Sequence, residues 1–125
     1  MSAAAVIYVV ATLVVVGFQL ALAAGAPWGE YAMGGRYSGR FPPPMRVAAG
    51  VQAVVLGALA LVVLDKAGLV TLGWTAALPW LAWVPVVVSV LSAAMNAATR
   101  SPMERRLWLP VAIVMLLSSI VVAAK

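Results

Sequence analysis

Few side chains in this sequence can do chemistry, and they fall in three places. Gln19, Gln52 and Asn96 are the strongest polar residues inside long apolar runs, and Ser92 lies one turn from Asn96. Amides and hydroxyls there can line a polar pocket, or can hydrogen-bond between helices at about 0.6 kcal/mol each. Six arginines, Arg36, Arg40, Arg46, Arg100, Arg105 and Arg106, sit in two short polar segments together with Trp28, Glu30 and Glu104. Guanidinium groups bind phosphate bidentately, so this set fits anionic lipid headgroups. It fits equally a charge signal that orients a membrane protein. The pair Asp65-Lys66 stands alone between apolar runs and reads as a solvated ion pair.

What is missing narrows the chemistry. The chain has no Cys and no His. That removes thiol catalysis, disulfides and thiolate metal sites, together with the commonest metal ligand and the usual neutral-pH base. An enzyme would have only Glu30 and Glu104 for acid–base work, and neither lies deep enough within a span for proton coupling. A non-enzymatic protein without cofactor or metal is the expectation.

These residues need elements to hold them, and composition says which. Of 125 residues 66% are hydrophobic and 9% are charged, against roughly 25% charged in a soluble domain. Lipid is the expected solvent. Four apolar runs, at about 3–24, 45–64, 78–98 and 103–124, are each long enough to cross a hydrocarbon core of about 30 Å at about 1.5 Å per residue. The expected fold is an all-α, integral membrane four-helix transmembrane bundle, with 1–125 as a single domain. The first run lacks the basic flank of a signal peptide and exceeds the length of its apolar region, so it reads as a retained helix.

The longest polar interruption is GAPWGEYAMGGRYSGRFPPPMR, Gly25 to Arg46. Its rings, Trp28, Tyr31, Tyr37 and Phe41, suit the headgroup layer, which predicts a loop lying on the membrane surface. Pro42-Pro43-Pro44 is expected to be extended in polyproline II. Asp65 to Gly68 should end the second run. Pro85 and Pro110 should kink the third and fourth. Trp74, Trp80, Trp83 and Trp108 read as interfacial. Ser101 with Glu104 forms a capping box with Pro102 at the first helical position. Either acid of this end, Glu30 or Glu104, could pair with an arginine and tie the first loop to the third. Small residues at Gly17, Ala21 and Gly25, at Ala49, Ala53, Gly57 and Ala60, and at Ser89, Ala93 and Ala97 predict three close-packing faces.

With four spans, the first and third loops share a face, which carries all six arginines; Lys66 and Lys125 are on the other. Six against two puts the arginine loops in the cytoplasm and both termini outside, and the uncharged Met1-Ser2 is easy to translocate. Counted from the arginine end, Gln19, Gln52 and Asn96 lie at depths that agree within roughly 3 Å. Two function classes remain open: an accessory or lipid-binding protein acting through the arginine face, and a small transporter or channel whose path passes the amides. Anionic lipids, a second copy or a larger membrane complex are the partners these classes imply. Nucleic acid is a poor fit, because the basic residues flank helices that must stay in the bilayer.

The segments GAPWGEYAMGGRYSGRFPPPMR and SPMERRLWLP resemble a pattern in small four-span membrane proteins of high-GC bacteria. The resemblance covers about a quarter of the chain. It implies a four-helix protein of the bacterial inner membrane and brings no assigned activity. In size the chain is also similar to small multidrug exporters. Those are marked by a membrane-buried Glu in the first span, and the first run here has no acid.

Overall fold

A computed structural model describes residues 2–125 of the chain. Met1 and the side chain of Ser2 lie outside it, so their part in the orientation argument rests on sequence alone. Five helices appear among the described residues: α1 (Ser2–Ala24), α2 (Pro43–Ala67), the short α3 (Trp74–Ala77), α4 (Val84–Ala98) and α5 (Pro102–Ala123). Single 3-10 turns at Gly29–Tyr31 and Met33–Gly35 fold the first loop, and a 3-10 stretch, Pro79–Trp83, leads into α4. Four stretches, Ala3–Ala24, Pro43–Ala67, Pro79–Ala98 and Pro102–Ala123, are long and apolar enough to span a membrane. The fold is all-α and its long helices make a four-helix bundle.

Local chemistry sets the boundaries and corrects two expectations. Only Pro42 is extended (ψ 156°); Pro43 and Pro44 already form the first turn of α2. The first N–H groups of a helix have no carbonyl to reach, so proline costs nothing there. α2 runs to Ala67, within the segment expected to end it. It ends at Gly68, whose φ of 79° suits the left-handed cap, with Gly68 N donating to Asp65 O at 3.1 Å and Leu69 N to Leu64 O at 3.0 Å. This is the paired pattern of a Schellman end. Pro85 does not kink a continuous helix: it sits in the first turn of α4, where the 3-10 stretch gives way to α-helix. α5 runs through Pro110.

α1 packs mainly on α2, and α5 on α4 and α1, while α2 and α4 scarcely meet. One core cluster joins Tyr8 of α1, Leu56, Leu59, Ala60 and Val63 of α2, and Met115 and Val122 of α5. A second, Leu22, Ala32, Phe41 and Ala49, lies under the first loop. Large apolar residues such as Leu13, Val54 and Val87 point outward and exposed, the pattern of a bundle whose solvent is lipid. The small-residue faces are only partly used. Ala49, Ala53 and Ala60 are buried, but a side chain added at Gly17 or Gly57 would meet nothing. Of the third face Ser89 is buried and Ala97 exposed.

Candidate functional site: a cavity between α2 and α4

Because α2 and α4 diverge, a cavity of about 790 Å³ opens between them, floored by α1 and α5 and roofed by the first loop. Gln19 from α1, Gln52 from α2, and Ser92 and Asn96 from α4 all line it. The amide layer expected from helix depth is thus brought to one space by three helices. Asn96 Nδ2 donates to Ser92 O at 2.7 Å and contacts Ser92 Oγ at 3.4 Å. Among the described residues neither Gln19 nor Gln52 shares in such a bond, so both amides are free to meet a guest. Met33, Met45, Met95 and Met115 are among the residues of the remaining wall. Unbranched thioethers adapt to irregular apolar shapes, and an apolar pocket with a few convergent polar groups is the usual form of a small-molecule site.

The roof is held by bonds between the first and third loops. Gly34 N donates to Glu104 Oε1 at 3.2 Å, and the Thr99 hydroxyl donates to the same oxygen. Ser101 Oγ donates to Glu30 O at 2.8 Å. Trp108 Nε1 donates to Tyr31 O at 3.0 Å. Within the loop, Gly29 N donates to Gly39 O at 2.9 Å, and a Cβ on Gly29 would run into the backbone carbonyl of Tyr37. Only glycine permits that approach.

This arrangement corrects several expectations. Phe41 does not reach a headgroup layer, since it is buried in the second core cluster. Trp108 is not an interfacial ring: it is buried, with its centroid 4.6 Å from that of Phe18. Half the capping box forms, Glu104 N donating to Ser101 Oγ at 3.2 Å. The other half does not, because Ser101 N turns to Thr99 Oγ1 at 3.2 Å and the carboxylate reaches across to the first loop. Glu104 does tie the loops together, but through the backbone N–H of Gly34 rather than an arginine, and Glu30 takes part only by its backbone carbonyl.

The arginines share one end of the bundle and are not gathered into a pocket. None lines the cavity. Arg46 Nε donates to Ala23 O at 2.9 Å, closing the C-terminal end of α1. Arg105 Nη1 donates to Thr99 O at 2.9 Å. Arg36 lies over the Tyr37 ring at 5.6 Å, and Arg40 packs beside Gly25. Arg100 and Arg106 are exposed. Trp28 is exposed and stacks on Phe18 at 6.3 Å, and the Glu30 side chain is exposed.

Asp65 is not a solvated partner of Lys66. Its carboxylate accepts the N–H groups of Leu72 (2.8 Å), Gly73 (3.2 Å) and Thr75 (2.9 Å) and the Thr75 hydroxyl (2.9 Å). It organises the second loop and the start of α3. Tyr8 and Thr12 drew no notice as sequence, being isolated hydroxyls in an apolar run, yet both are wholly buried. Their helical spacing to Gln19 was the available signal. No family model, no curated protein and no solved structure matches the chain.

Proposed function

We propose that this is a non-enzymatic protein of a bacterial inner membrane that takes an uncharged, bilayer-dissolved molecule into the cavity between α2 and α4. One observation carries this reading: amides from three helices converge on a single space of about 790 Å³ with mostly apolar walls. A charged guest is disfavoured, because the one charged residue lining the cavity, Glu104, is already engaged by Gly34 and Thr99. The gap between α2 and α4 offers entry from the lipid side. Such a protein can retain its guest as an accessory subunit or pass it on as a small transporter; the resemblance to small four-span proteins of high-GC bacteria fits either. In this reading the arginine loops are cytoplasmic and both termini are outside.

A second reading is favoured by the arginine end. All six arginines belong to the first and third loops and their flanks, and Arg36, Arg40, Arg100 and Arg106 are exposed. Anionic lipid headgroups would relieve the repulsion among them. The two readings are separable in purified protein. Gln19→Leu with Gln52→Leu should weaken binding of a medium-chain alcohol about tenfold and leave anionic lipid bound. Arg105→Gln with Arg106→Gln should weaken anionic lipid retention about 10–30-fold at low salt, and less at high salt, and leave the alcohol bound. Alcohol binding indifferent to the amides would overturn the cavity reading. Lipid retention indifferent to the arginines would leave them as topology signals.

A further inference from the structure

Three buried hydroxyls, one of them in the wall of the cavity, have no partner among the described residues. Tyr8 and Thr12 are 0% exposed and Ser89 2%, and the Tyr8, Thr12 and Ser89 side-chain oxygens make no hydrogen bond. They are neighbours, with the Tyr8 hydroxyl beside those of Thr12 and Ser89, but are not in bonding geometry with one another. A helical Ser or Thr normally returns its proton to a carbonyl one turn back. Ser118 does so to Val114 O at 2.6 Å and Ser119 to Leu116 O at 2.9 Å. Thr12 and Ser89 do not. In a span without water, three such groups left bare together are costly.

Ser89 connects this place to the cavity, whose wall it forms. On α4, Ser89, Ser92 and Asn96 recur at i, i+3 and i+7, one helical face; on α1, Tyr8, Thr12 and Gln19 do the same at i, i+4 and i+11. The polar strip therefore continues inward from the amides. Seven residues separate Asn96 from Ser89, roughly 10 Å along the helix. The surroundings of Tyr8 are apolar, with Ala5, Leu56, Leu59, Ala60 and Met115 in its cluster, so the place suits an uncharged group.

We propose that the Tyr8, Thr12 and Ser89 hydroxyls form a second, deeper subsite of the cavity, so that its ligand is a neutral amphiphile carrying two uncharged hydrogen-bonding groups roughly 10 Å apart. One group meets Gln19, Gln52 and Asn96; the other meets the hydroxyls. This rests on the cavity reading above and adds the ligand's second anchor.

Two probes test it on the full-length protein in detergent: octane with one terminal hydroxyl, and octane with a hydroxyl at each end. Binding is compared within each probe, between wild type and variant, so differences in water solubility cancel. Tyr8→Phe with Ser89→Ala should weaken the diol about tenfold and the mono-alcohol no more than about twofold. The same variant without ligand should melt at or above the wild-type temperature, because it deletes unpartnered buried polar atoms; reduced binding is then not misfolding. If the diol binds variant and wild type alike, or both probes weaken equally, the deeper subsite is overturned. If the mono-alcohol depends on the glutamines while the diol ignores the hydroxyls, the subsite alone fails. If neither probe binds wild type, the cavity reading fails and the subsite with it.

Discussion

Glu104, in the first turn of α5, accepts the backbone N–H of Gly34 at 3.2 Å across seventy residues of sequence. The same oxygen accepts the Thr99 hydroxyl. A residue type that would ordinarily close its own helix end instead fastens the first loop over the cavity. Glu104→Ala should therefore loosen the roof while leaving the helices in place. Hydrogen exchange at the Gly34 amide is expected to rise about tenfold or more, with exchange in the middle of α2 unchanged. Unaltered exchange at Gly34 would mean that the roof is held by Ser101 and Trp108 alone.

Packing distinguishes two small residues four apart on α2. Ala53 is buried and Gly57 opens on empty space. Ala53→Leu should destabilise the bundle by about 1–3 kcal/mol through overpacking, and Gly57→Leu should be mild. Thermal melting in detergent reads the difference. A large loss at Gly57 would show that a second copy of the chain covers that face.

Asp65 gathers the N–H groups of Leu72, Gly73 and Thr75. Asp65→Ala should open the second loop without displacing the spans. Limited proteolysis between Gly68 and Trp74 is expected to accelerate, and helical content to stay constant.

How much of this was legible in the sequence depends on whether a residue's signal was its own. The spans were, because mean hydropathy over a helix length is a property of each run taken singly. The amide level was, because Gln19, Gln52 and Asn96 can each be counted inward from a charged end. The roof was not. Phe41 and Trp108 look like interfacial rings until the loop folds inward and buries one while the other donates to Tyr31 O. Glu104 carried a valid capping signal that a distant backbone N–H outcompeted. Gly29 resembled any loop glycine, since its close approach to Tyr37 is set by the loop's return path. Tyr8 and Thr12 on α1 meet Ser89 on α4 only across the folded bundle.

Orientation can be tested because the chain has no cysteine. Ser38 is exposed in the first loop. With the arginine loops cytoplasmic, Ser38→Cys should react with an impermeant maleimide only after the cells are opened. Equal labelling of intact cells would reverse the topology.

Photolabelling asks most directly whether the space between α2 and α4 binds a neutral amphiphile. An octanediol bearing a diazirine at mid-chain would be cross-linked to the full-length protein and the adducts located by mass spectrometry. Adducts should concentrate on cavity residues such as Gln52, Ser92 and Met115, and excess unlabelled diol should remove them. Adducts spread evenly over outward residues such as Leu13 and Val54, and indifferent to competitor, would contradict a binding cavity and leave a bundle merely dissolved in lipid.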